Sequence, residues 1–162
     1  MRFLILVLFL FVTQVYGYED FVQYEKGYYY VLIKKGSFKS VNSKLIEEIR
    51  AHGWDVIHTI NVDKTTGRKA PYKTHLLCKS KYLKKGIDKF EPIGVIIPCK
   101  MAVYVKGNII KIMVEDVTEY GKIYRPKDKE FYRFLSKVNK ELIDILNRTA
   151  GRFMKSKYTP YE

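Results

Sequence analysis

Only two cysteines, Cys78 and Cys99, and one tryptophan, Trp54, occur in these 162 residues. So few cysteines exclude a disulfide-stapled scaffold, and without a Cys-x-x-Cys pair there is no thioredoxin-like motif. Glutamine is nearly missing, with Gln23 the last in the chain. Past residue 17 no apolar run approaches the roughly 20 residues that span a bilayer. No Gly/Ser-rich or Pro-rich linker divides the chain, and no internal repeat is visible. Arginine is scarce beside lysine, which argues against a surface built for bidentate phosphate contacts. A phosphate loop, a dinucleotide fingerprint and a zinc-protease helix are all absent. Neither His52 nor His58 stands in a pattern that suggests a catalytic triad.

What is present begins with a leader. Arg2 precedes the apolar run 3–12, and Val15-Tyr16-Gly17 follows with residues tolerated at a cleavage site. That order of charge, apolar segment and small residue is a secretory signal. Residues 1–17 are therefore expected to be removed, placing the mature chain outside the cytoplasm, in the periplasm or secreted. The chain carries 30 Lys and Arg against 17 Asp and Glu, a net charge of +13. Such an excess attracts anions, which leaves two readings open: a solvated lysine-rich surface, or a site for a small anionic ligand or a partner protein; export argues against nucleic acid as a partner. A polyanion or membrane-surface role would need the lysines to gather on one face. The same composition, rich in Lys, Glu, Tyr and Ile, also resembles that of proteins from hot environments.

Along the mature chain, 28–33 is aromatic and β-branched and reads as a strand. Ser40 suits the cap of a helix to about His52, with Val41, Leu45, Ile46 and Ile49 as its apolar stripe and Gly53 beyond its end. Residues 54–62 alternate as a second strand, with Trp54, Val56 and Ile60 inward. Residues 63–71 form a polar, basic loop. A third strand (72–78), a short helix (80–87) ending at or soon after Gly86, and a hairpin (93–105 and 109–117) follow. Gly107-Asn108 suits the hairpin turn. From Asp128 to Ala150, apolar residues recur at helical spacing, and Gly151 is expected to stop that helix. The order β-α-β-β-α-β-β-α predicts an α+β domain: a mostly antiparallel sheet with helices on one face. The expected organisation is a leader (1–17), an α+β domain (18–125), and a C-terminal helical extension (126–162) packed on the domain or a partner.

The residues that carry chemistry are few. Cys78 and Cys99 allow a structural disulfide, two buried free thiols, or a reactive pair. His75, Cys78, Cys99 and Met101 are the soft-ligand types that select copper or a related metal. Cys99 and Met101 share a strand face, whereas His75 and Cys78 fall on opposite faces unless the strand bends. Lys64, Arg68, Lys69 and Lys73, with Tyr72 nearby, form a candidate anion-binding loop. The run Tyr28-Tyr29-Tyr30 and Trp54 read as sheet and core packing. Asn147-Arg148-Thr149 matches a glycosylation sequon but falls inside the last helix.

Gly53-Trp54-Asp55-Val56-Ile57-His58-Thr59-Ile60-Asn61-Val62 resembles the glycine, aromatic, strand segment of the DUF302 family. The run from Ile93 to Tyr104, with Pro98-Cys99 at its centre, is similar to that family's apolar strand, Pro-Cys and second strand. Cys78 falls where the family often carries Cys-Asn-Pro, but here Lys79-Ser80 follows. The resemblance spans about Tyr29 to Val117. It implies a compact α+β domain able to form a homodimer, of a family with no established activity. Two functions stay open: a non-enzymatic small-ligand or protein-interaction module needing no cofactor, and a thiol-redox or soft-metal protein using Cys78 and Cys99.

Overall fold

A computed structural model describes residues 20–154; the expected leader lies outside them. The chain forms β1 (Gln23–Glu25), β2 (Tyr28–Ile33), α1 (Phe38–Ala51), β3 (Asp55–Asn61), α2 (Val62–Thr66), β4 (Tyr72–Cys78) and α3 (Ser80–Lys89). A 3-10 turn (Glu91–Val95), β5 (Cys99–Lys106), β6 (Ile109–Glu115), α4 (Thr118–Tyr124) and α5 (Lys129–Met154) complete it. The strands form one sheet in the order β1-β2-β6-β5-β4-β3, and every neighbouring pair is antiparallel. The fold is α+β.

Strand periodicity places the core. Val31 and Ile33 on β2, Ile110, Ile112 and Val114 on β6, Cys99, Met101 and Val103 on β5, and His75 and Leu77 on β4 are all buried. They alternate with half-buried neighbours such as Tyr30, Met113, Ala102 and Thr74, which lie opposite one another in the ladder. One face of the sheet is thus covered and the other open. Helices α1 and α5 supply the cover. Val41, Leu45 and Ile49 from α1, and Leu135, Val138, Leu142, Ile145 and Leu146 from α5, join the sheet in one apolar cluster. Each such side chain gives roughly 1.5–3 kcal/mol on burial, so α5 is integral to the core it closes.

The ends of α1 follow ordinary capping chemistry. Ser37, three residues before the expected cap, accepts the amide of Ser40 at 3.1 Å. Gly53 ends the helix at φ 70, its amide bonded to the Arg50 carbonyl. Trp54 is buried directly after.

Several expectations are corrected. Ile60 does not face the core: a bulge at Ile57 shifts the register between Val56 and His58. One extra residue moves every later side chain to the other face, so Thr59 turns inward opposite His75 and Ile60 outward. The strand expected from Ile93 begins only at Cys99. Pro92 opens a 3-10 turn there instead, and the Ile97–Pro98 peptide is cis. Gly86 does not end α3, which continues to Lys89. It is buried against Ile93, whose Cγ1 would lie 2.7 Å from a β-carbon added there. Gly151 likewise sits inside α5, buried against the core. Part of the expected basic loop is the helix α2, whose Thr65 and Thr66 hydroxyls donate to the carbonyls of Asn61 and Val62.

Candidate functional site

Of the soft-ligand residues, His75, Cys99 and Met101 share the covered face and Cys78 does not. Cys99 stands opposite Leu77, so it shares the covered face, while Cys78 next to Leu77 points to the open face. Both cysteines are free. Of the three readings left open for the pair, the disulfide is not formed, because Cys99 and Cys78 send their side chains to opposite faces. Burial pushes the Cys99 thiol up to about 12, and it raises Cys78 as well. Neither has the cationic, open setting that makes a thiolate nucleophile.

His75 lies opposite Met101 on the covered face and is 1% exposed. Both ring nitrogens are taken. Nε2–H donates to Asn42 Oδ1 at 2.8 Å, and Thr59 Oγ1–H donates to Nδ1 at 2.9 Å. Burial lowers its pKa to about 4, assisted by the charge of Lys73 on the same face. A neutral imidazole with two satisfied nitrogens leaves no lone pair for a metal. Among the described residues no group of three His, Cys, Asp or Glu side chains is placed to hold an ion. His75, Cys78, Cys99 and Met101 do not fit a soft metal.

The basic loop disperses in the same way. Arg68 folds back to donate to the Val105 carbonyl at 2.8 Å and lies over the stacked rings of Tyr72 and Tyr104. Lys73 is on β4 beside His75, and Lys64 and Lys69 stay exposed in solvent. The sequon is closed off: Asn147 is buried, and its Oδ1 accepts the Phe21 amide at 2.8 Å.

A different place is open. Between α3 and the first turns of α5 lies a cleft of about 460 Å³. Its floor is aromatic. Phe90 packs against Phe131 with centroids 4.6 Å apart, and Tyr82 meets Phe134 edge-on at 5.9 Å. Cations surround it. Arg125 sits over the Phe90 ring and pairs with Asp128 at 3.2 Å, and Lys89 pairs with Glu130. Lys81, Lys85, Arg133 and Lys137 also line the cleft. None of these four has an ion-pair partner among the described residues. The helical period explains the gathering: positions 81, 85 and 89 of α3 and 130, 133, 134 and 137 of α5 lie three or four apart, on one face of each helix.

Behind the floor, Glu141 ties the walls together. Its carboxylate accepts from Trp54 Nε1 at 3.0 Å, Lys79 Nζ at 2.7 Å and the Tyr82 hydroxyl at 2.6 Å. Burial pushes this carboxyl up, but the three donors outweigh it and hold it below its ordinary value. Burial, together with the Glu141 contact, raises the Tyr82 phenol. Tyr82 is thus a fixed hydrogen-bond donor in the cleft wall. Sequence reasoning missed this site because it joins ordinary Lys and Phe side chains from segments some 50 positions apart; the lysine spacing in 81–89 was the one legible signal.

A six-stranded antiparallel sheet with one face covered by helices defines the class of this protein as a two-layer α+β domain. The chain matches the family "Domain of unknown function DUF302" over residues 29–149 and belongs to that family. The match runs through most of α5, further than the resemblance read from the sequence. Among solved structures, the chain is similar to an uncharacterized conserved DUF302 protein from Bacillus stearothermophilus, with a TM-score of 0.70 and 19% identity. That similarity covers 77% of this chain and 99% of the other, and it establishes the shared fold. No curated protein matches the chain.

Proposed function

We propose that this DUF302 protein is an exported, non-enzymatic binding module, and that its ligand is a small organic anion with an apolar body held in the α3–α5 cleft. The observation that supports this reading is the aromatic floor ringed by four cations that form no salt bridge among the described residues. A volume of about 460 Å³ suits a small ligand. Burying an apolar body against Phe90, Phe131 and Phe134 supplies affinity, and the rim of lysines and Arg133 supplies the sign of charge. The polar groups of the wall are committed to holding. Tyr82 donates to Glu141, and Asp128 caps α5 by accepting the Phe131 amide at 2.9 Å. Export rests on the leader at 1–17.

Trp54 makes the test direct. It is the sole tryptophan and its ring lies 5.7 Å from Tyr82 in the cleft wall. Titration with the aryl sulfonate probe 1-anilinonaphthalene-8-sulfonate is expected to change Trp54 emission saturably. The double variant Lys85→Glu/Arg133→Glu is expected to weaken binding at least tenfold. Equal affinity in the variant, or no saturable change in the wild type, contradicts the reading.

A further inference from the structure

The outer surface around the cleft has a second property. Among the described residues eight large apolar side chains are exposed, and five of them lie on the elements that meet here. They are Ile87 on α3, Val95 on the 3-10 turn, Ile123 and Tyr124 on α4, and Tyr132 on α5. Val95 is 74% and Ile123 69% exposed. The Phe90–Phe131 contact and Arg125 over Phe90 hold these elements to one end of the molecule. The two stretches concerned, 80–96 and 118–137, contain ten Lys and Arg against five Asp and Glu. Three of those acids are already neutralised, Glu119 by Lys122, Asp128 by Arg125 and Glu130 by Lys89.

We propose that this end of the molecule docks on the surface of an anionic lipid bilayer. Exposed aliphatic tips on elements that also carry unpaired lysines match an interface with phosphate headgroups outside and hydrocarbon below. Each lysine or arginine near an anionic surface contributes roughly 1 kcal/mol, and tyrosines such as Tyr124 and Tyr132 suit the headgroup level. Docking on a second copy of the same end would set like charge against like charge. No helix among the described residues is long and apolar enough to cross the membrane, so the association is peripheral. The proposal goes beyond the cleft reading and does not need the cleft occupied.

The test is co-sedimentation of the full chain with vesicles of phosphatidylglycerol mixed into phosphatidylcholine, against vesicles of phosphatidylcholine alone. The variants are Val95→Asp/Ile123→Asp and Lys84→Glu/Lys127→Glu, which share the N-terminal segment of the wild type and leave the cleft lining untouched. Expected results are binding to the anionic vesicles that falls with added salt, and at least a tenfold loss in each variant. Titration with the aryl sulfonate probe should stay unchanged in both variants, which separates failure of docking from failure of the cleft. Equal binding to both kinds of vesicle, wild-type binding by both variants, or self-association abolished by Val95→Asp/Ile123→Asp would each overturn the proposal.

Discussion

The centre of the sheet and the α3–α5 end divide reactivity and access between them. At the sheet centre sit His75, Cys99 and Met101, the residue types that do chemistry in other proteins, all buried. At the α3–α5 end sit lysines and arginines around a cleft floored by buried and half-buried phenylalanines. The difference teaches that residue type alone misplaces a site. Burial and a closed hydrogen-bond set turn His75 into a structural group, just as they raise the Cys99 thiol. In the proposed reading, commonplace side chains gain a role because two helices bring their charges round one floor.

Four outcomes would break or sharpen this contrast. The largest concerns the thiols. Cys99 should react with a maleimide or disulfide reagent at neutral pH at least ~100-fold more slowly than a free thiol, since its pKa near 12 leaves little thiolate. Stopped-flow labelling in native and denaturing buffer measures this; rapid native labelling of Cys99 would restore the thiol reading.

Next is the pH dependence of stability. His75 is neutral when folded, with a pKa of about 4 against 6.5 when exposed. The unfolded chain therefore binds the additional proton between these values, and stability is full above pH 6.5 and lost as pH falls toward 4. The loss is on the order of 3 kcal/mol at 1.36 kcal/mol per unit. Urea unfolding across that window should show a shallower slope in His75→Phe, beyond its lower baseline. An unchanged slope would mean that His75 is not the buried neutral group described.

Gly86→Ala comes third. Alanine favours a helix interior by roughly 1 kcal/mol, yet the added carbon meets Ile93 at 2.7 Å. Overpacking should win, with a net loss of about 1–2 kcal/mol by chemical denaturation. Adding Ile93→Val should recover part of it. A stabilised single variant would show that α3 and the 3-10 turn are less tightly apposed than described.

The smallest effect on stability belongs to the cleft rim. Lys81→Glu and Lys137→Glu should change unfolding free energy by no more than about 0.5 kcal/mol, as expected of exposed charges. A large destabilisation would make the rim part of the structural frame and erase the contrast.

The sequence shows much of the fold and little of the site, for physical reasons. Strands β2, β4 and β6 and helices α1 and α5 carry the two periodicities that burial imposes, so they are legible. Elements β1, α2 and α4 are short and have little or no apolar period, so they are not. The bulge at Ile57 leaves no mark in local composition, yet it decides which of Thr59 and Ile60 faces His75. Gly86 and Gly151 look like helix stops because glycine is a common terminator. Tertiary packing holds both within helices, Gly86 where only glycine fits beside Ile93. The soft-ligand set was a gathering by residue type; strand parity removes Cys78 from it, and the two hydrogen bonds of His75 close the rest. The cleft depends on a long-range meeting of α3 with α5, which no local pattern encodes.

The central proposal is that the open, positively charged end is the ligand site and the sheet centre is structural. Chemical-shift mapping with isotope-labelled protein and the aryl sulfonate probe tests both halves at once. Shifts are predicted for Lys81, Tyr82, Lys85, Phe131, Arg133, Phe134 and the Trp54 indole, with His75, Cys99 and Met101 unmoved. Perturbation centred on His75, Cys99 and Met101, with the α3–α5 signals still, would contradict the account.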